Sequence, residues 1–197
     1  MKRLLAYLFI VLGLGLVVSV KADDIRDFQI EGMSIGDSLL EFFSEDEIQE
    51  SLKNPTFYKN NKFVVIFINK FSSKYERMQV TLKPDDNNYT IFSIDGILDF
   101  DKKIDECNKK RADVIKELES LFQNFERVDE DSKFEGDKNG QSFTYGTWFF
   151  LKTGGHFSVT CTKMGQIVKE KNGWTDELSI NVSNKEFENF LINEAYK

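Results

Sequence analysis

The stretch EGDKNGQS, Glu135 to Ser142, comes nearest to supplying side chains at a spacing that chemistry requires. Glu135, Asp137 and Asn139 followed by Gly140 copy the first half of a calcium-binding loop, in which alternate side chains turn inward on one cation. The second half of that pattern fails, because its twelfth position is Gly146, where a bidentate carboxylate is expected. A polar turn ending in Asn139-Gly140 ahead of a strand accounts for the same residues more simply.

Histidine occurs once, as His156 beside Gly154-Gly155. A nucleophilic triad would need a serine or cysteine close to it and an acid behind it, and the chain contains no G-x-S-x-G. The acidic groups Asp85-Asp86 and Asp129-Glu130-Asp131 fall in polar connections, where charge is normally solvated. Two carboxylates facing each other across a cleft would suit glycoside hydrolysis, but that separation is a property of the fold. Gly-rich phosphate loops and paired Cys/His metal spacings are missing from the sequence, so no cofactor is expected. The triplets Asn88-Tyr89-Thr90 and Asn181-Val182-Ser183 match N-glycosylation sites, which matter only in a host that glycosylates its secreted proteins.

Binding is better served than catalysis. In FTYGTWFFLK the aromatic residues Tyr145, Trp148, Phe149 and Phe150 fall on both faces of one strand, so a single core cannot cover them all. The second set must meet a helix of the same chain, a protein partner or an apolar ligand, since a large exposed aromatic patch marks an interaction site. Trp174, in the turn sequence KNGWTD, is a further contact candidate. The binding candidates are therefore Tyr145, Trp148, Phe150 and Trp174, and the metal candidates Glu135, Asp137 and Asn139.

These residues have to be positioned by the elements around them. Ser34 with Asp37, and Ser44 with Glu47, read as two capping boxes that open a short helical hairpin, closed by Asn54-Pro55. KFVVIFINK (62–70), the alternating stretch around Met78, Val80 and Leu82, and residues 89–98 read as three strands. A long helix is expected from about Lys102 to Phe125, with Ile104, Cys107, Val114, Ile115, Leu118, Leu121, Phe122 and Phe125 at three- and four-residue intervals. Asp129 to Asn139 reads as a charged connection. Strands at 142–152, 156–164 and 176–184 follow, and Ser183 with Glu186 caps a closing helix. The expected fold is α+β, an antiparallel sheet with helices on one face, in two helix-plus-three-strand halves at 30–98 and 102–197.

Two cysteines remain to be placed. Cys107 lies on the apolar stripe of the long helix, and alternation in HFSVTC puts Cys161 on one strand face with Phe157 and Val159. A helix packed on that face would bring the two thiols together as a structural disulfide. Neither cysteine has the exposed C-x-x-C setting or neighbouring base that redox catalysis uses.

The N-terminus indicates where such a bridge could form. Lys2 and Arg3 precede the apolar run Leu4–Val18, and Val20 and Ala22 stand at the small-residue positions of a signal-peptidase site. Residues 1–22 thus read as a signal peptide and 23–197 as a single secreted, periplasmic domain with no stable membrane anchor after cleavage; the alternative is an uncleaved anchor, because Leu4–Val20 approaches the ~17 residues a spanning helix needs. The leader takes Lys2, Arg3 and Lys21 with it and no acid, leaving the rest three charges more negative than the −7 of the whole chain. That balance argues against nucleic acid as a partner, because phosphate binding depends on clustered Lys and Arg.

GMSIGDSLLEFFS, followed by a second short helix and three strands, resembles the helix-helix-three-strand module of beta-lactamase inhibitor protein and of small outer-membrane assembly lipoproteins. The likeness covers residues 30–98 and rests on Gly32, Met33 and Ser34; unlike the lipoproteins, this chain has no cysteine close after its apolar run. What it implies is a non-enzymatic module that binds proteins across an open sheet face. The sequence thus points first to a protein-interaction module, next to a carrier of a small apolar ligand, and third to a carboxylate-based hydrolase.

Overall fold

The computed structural model describes residues 24–68, 74–101, 103–122, 124–134 and 137–195. The leader expected at 1–22 and the metal candidate Glu135 lie outside the described residues. In chain order the elements are β1 (Gln29–Ile30), β2 (Met33–Ser34), α1 (Glu45–Ser51), β3 (Thr56–Phe57), β4 (Val64–Ile68), β5 (Arg77–Leu82) and β6 (Ser93–Asp99). They continue as α2 (Ile104–Leu121), β7 (Phe125–Lys133), β8 (Phe143–Leu151), β9 (His156–Lys163), α3 (Gln166–Asn172), β10 (Glu177–Ser183) and α4 (Lys185–Asn193). All strands but β1 and β2 join one antiparallel sheet in the order β3-β4-β5-β6-β10-β9-β8-β7. Two meanders, β4-β5-β6 and β9-β8-β7, are therefore stitched into one α+β unit by β10, which pairs along its whole length with both β6 and β9.

One face of this sheet carries the main core. Alternation turns Ile66, Val80, Ile94, Ile180, Val159 and Phe149 to it, each at most 3% exposed. α2 lies against that face with Cys107, Val114, Ile115 and Leu118 buried. The Cys107–Cys161 disulfide ties helix to sheet, with its Cα atoms 6.0 Å apart across a sequence separation of 54. Such a bridge fits an oxidising, extracytoplasmic compartment. Phe157 stands at the centre of an aromatic stack, its ring centroid 4.6 Å from Phe149, 4.7 Å from Phe122 and 6.1 Å from Phe28. Among the described residues no helix is long and apolar enough to cross a membrane.

A second, smaller core belongs to α4. Its Phe187 and Phe190 pack with Phe63, Phe92 and Ala195, and Tyr58 meets both α4 rings edge-on at 5.4 and 5.5 Å. Glu188 of the same helix reaches His156, which alternation places opposite Phe157, so α4 lies over one end of the face that α2 leaves alone.

Several expected elements differ. Ser34 does not cap a helix: it ends β2, pairs with Gln29, and its amide donates to Asp37 Oδ2 at 2.8 Å. Glu31-Gly32 forms the tight turn between β1 and β2, with φ of +53° and +83°, and Gly36 at +91° leaves the helical region altogether. The first helix of the expected hairpin shrinks to a single 3-10 turn at Leu39–Glu41, capped by Ser38, whereas the Ser44/Glu47 box caps α1 as expected. α2 stops at Leu121, since Phe122 turns extended and drops its ring onto Phe157. The first part of the charged segment expected as a connection, Asp129–Lys133, belongs to the edge strand β7, paired over all nine of its residues with β8, while Asp137–Gly140 is a turn as expected. α3 was not expected at all, and α4 is capped by Asn184 instead of Ser183, which stays in β10.

Candidate functional site

The face opposite α2 is assembled from strand register. One row crosses the sheet as Phe67, Gln79, Asp95, Asn181, Ser158, Trp148 and Val128, and the next as Arg77, Ile97, Ser179, Thr160, Gly146 and Glu130. A third row, running Thr81, Ser93, Ser183, His156 and Phe150, lies at the α4 end, and its first four residues are buried. The first two rows carry no helix among the described residues. With strands spaced about 4.8 Å apart, the seven from β4 to β7 span roughly 29 Å; Phe67 and Glu130 at the two sides of this face are exposed, Gln79, Asp95, Asn181 and Trp148 are half-buried, and Ile97 and Ser158 are buried.

Polar side chains at its centre are tied into one network. Asn181 donates from its amide to Asp95 Oδ2 at 2.9 Å and to Ser93 Oγ at 2.8 Å, and accepts from Ser183 Oγ at 2.9 Å. Ser179 Oγ donates to Asp95 Oδ1 at 3.0 Å. Burial pushes the Asp95 carboxyl up to about 6, against the pull of the Asn181 and Ser179 bonds, which favour the charged form. Toward the Asp99 end, Arg77 bridges Asp99 at 2.6 Å and Glu177 at 2.7 Å. Burial raises the Glu177 carboxyl in spite of Arg77 beside it.

Trp148 supplies the apolar part of the face. Its indole lies across Gly146, where a Cβ would stand 2.1 Å from Cη2, so only glycine leaves room for the ring. Phe150 is on the same side of β8, 5.6 Å from the His156 ring. Tyr145, by contrast, points to the α2 side, where it packs against the main core and meets Phe143 at 5.1 Å. Trp174 follows Gly173, the left-handed cap of α3, and stands edge-on to Phe134 at 6.1 Å. The four aromatic candidates therefore divide: Trp148 and Phe150 share the open face, Tyr145 takes the opposite one, and Trp174 belongs to a loop.

The metal candidates have a structural use. Asp137 is buried, and its carboxylate accepts from the amides of Asn139, Gln141 and Ser142 at 2.8–3.0 Å and from Ser142 Oγ at 2.8 Å. Burial opposes its ionisation, but these bonds prevail and hold the carboxyl below its usual value. Ser142 Oγ in turn accepts from Gly165 N at 2.8 Å, so the loop is closed by one carboxylate and one hydroxyl. Asn139 contributes its backbone amide to this closure and its side chain is exposed. Among the described residues, no cluster of three His, Cys, Asp or Glu side chains could hold a metal ion.

Asp95, Asn181, Ser179 and Gln79 are site residues that sequence reasoning missed. Their signal was the polar half of the alternation in SIDGILD and ELSINVS, which becomes a site only once register sets the two polar halves side by side. Register also places Asn181, one of the two N-glycosylation triplet asparagines, inside this network, its amide nitrogen bonded to Asp95 and Ser93. Comparison with protein-family models, with curated proteins and with solved structures finds no match.

Proposed function

We propose that this chain is a secreted binding module that holds a protein partner against the open face of its sheet, with Trp148 as the apolar anchor. The observation that carries this reading is the half-buried indole of Trp148, folded back over Gly146 on a face whose two central rows have no helix over them among the described residues. Tryptophan is enriched at interaction hot spots, and here it stands on a strand between Ser158 and Val128 with the polar network of Asp95 and Asn181 further along the same row. The apolar leader and the disulfide both suit secretion.

The competing readings are less well served. A carrier of a small apolar ligand asks for an enclosed pocket between helix and sheet; under α2 that space is filled by Phe28, Phe122, Phe149 and Phe157, and the groove beside α1 is open along the edge of β4. A carboxylate-based hydrolase asks for an acid of shifted pKa in a cleft. Asp95 has the shift, but both its oxygens are held by Ser179 and Asn181. The test is partner capture by the folded wild type and by Trp148→Ala: loss of capture at an unchanged melting temperature supports the proposal, and undiminished capture refutes it.

A further inference from the structure

The β4 edge of the sheet offers a second surface, at the far side of the sheet from Trp148 and sharing only Phe67 with the open face. β3 covers β4 only at Val64 and Val65, which pair with Phe57 and Thr56. Continuing that register would set Pro55 opposite Ile66, and proline has no N–H to give a ladder. The chain leaves the edge there, and among the described residues the outer side of Ile66, Phe67 and Ile68 has no strand partner. α1 runs alongside and leaves a groove of about 540 Å³, whose walls are Phe43 and Ile48 from the helical side and Ile66, Phe67 and Ile68 from the strand. Phe67 is 36% exposed at this edge.

Among the described residues that line it, the groove has one sign of charge. Asp46, Glu47 and Glu50 line it from α1, and the nearby Lys53 is engaged by Glu50. An apolar channel with an open backbone ladder on one side and carboxylates on the other selects for an extended, cationic segment. We propose that a protein partner adds such a segment to the edge of β4 at Ile66–Ile68, its apolar side chains entering the groove beside Ile48 and its Lys or Arg residues meeting Asp46 and Glu50. An open edge strand is normally blunted by charge or covered, as β7 is with its acidic residues, and β4 between Ile66 and Ile68 has neither protection on its own strand.

The probe is a synthetic peptide of alternating lysine and valine or isoleucine, compared with the same peptide N-methylated on alternate residues so that charge and side chains are kept but one ladder edge is blocked. Binding to 15N-labelled protein is followed by amide shifts and by hydrogen exchange. The expected result is new protection at residues 66–68 with shifts confined to these and to α1. N-methylation on the pairing edge, and separately Asp46→Lys with Glu50→Lys, should each weaken binding about tenfold or more. Trp148→Ala should leave it unchanged, which keeps this surface distinguishable from the open face. Absence of binding, equal binding of the N-methylated peptides, or shifts that map to the Trp148 face would each overturn the proposal; equal binding would mark the groove as a site for apolar ligands instead.

Discussion

The indole of Trp148 lies over Gly146, two residues earlier on the same face of β8, with its Cη2 2.1 Å from the point a Cβ would occupy. One residue thus sets the pose of the other: a side chain at position 146 must push the ring off the sheet. Gly146→Val should therefore displace the indole and weaken partner capture as much as Trp148→Ala does. Because valine suits an extended strand, the fold should survive the change. Tryptophan fluorescence would report the displaced ring, and an unshifted spectrum with full capture would contradict the arrangement.

Asp95 makes the open face sensitive to pH. Its folded carboxyl, raised by burial to about 6, stands above the ~3.9 of an unfolded chain, so between those values the folded state holds more protons than the unfolded one. Stability falls as pH rises through that window. The ceiling on the loss is about 3 kcal/mol, reduced by solvent at the open face. Glu177, also raised, adds a change of the same sign. Asp95→Asn should melt higher than wild type at pH 8, and the gap should close near pH 4.5. Parallel melting curves across that range would show that Asp95 ionises without cost.

The bridge between Cys107 and Cys161 closes a loop of 54 residues, which in the chain-entropy model is worth about 4 kcal/mol. Replacing both cysteines by alanine should lower the urea midpoint accordingly while preserving the sheet. Identical denaturation of the reduced and oxidised protein would contradict a bridge that restrains the unfolded chain.

In the loop that resembles half a calcium site, Asp137 is committed to four donors of its own loop. Millimolar calcium or chelator should leave the melting temperature where it is, and Asp137→Ala should lower it by releasing those donors. A rise with calcium would show that the carboxylate prefers a cation.

How far these features could be read in the sequence depended on whether local pattern and tertiary packing agreed. Cys107 on a helical stripe and Cys161 on an alternating strand were enough to expect their pairing, because each pattern names a buried side. The end of α2 was hidden because Phe122 and Phe125 continue the helical spacing while packing from extended backbone. β7 was hidden for a different reason. As an edge strand it buries little, so Glu126, Arg127, Asp129, Glu130 and Asp131 give it no apolar face to detect. Gly36 mattered more than the helix-like spacing around it, since its φ of +91° turns the chain out of the helical region just after Ser34. Trp148 was legible as an aromatic residue in need of a cover, whereas Asp95 and Asn181 became neighbours only through the pairing of β6 with β10.

The central claim is that a protein partner sits on the face carrying Trp148, and site-specific photo-crosslinking in the native host tests it most directly. A photoreactive side chain would be placed at Gln79, Ser179 or Thr160 on the open face, and at Asp113 or Glu117 on the exposed side of α2. The account predicts one discrete protein adduct, the same from all three face positions, absent from both helix positions and lost on Trp148→Ala. Adducts from α2 alone, or face adducts that persist without Trp148, would contradict it.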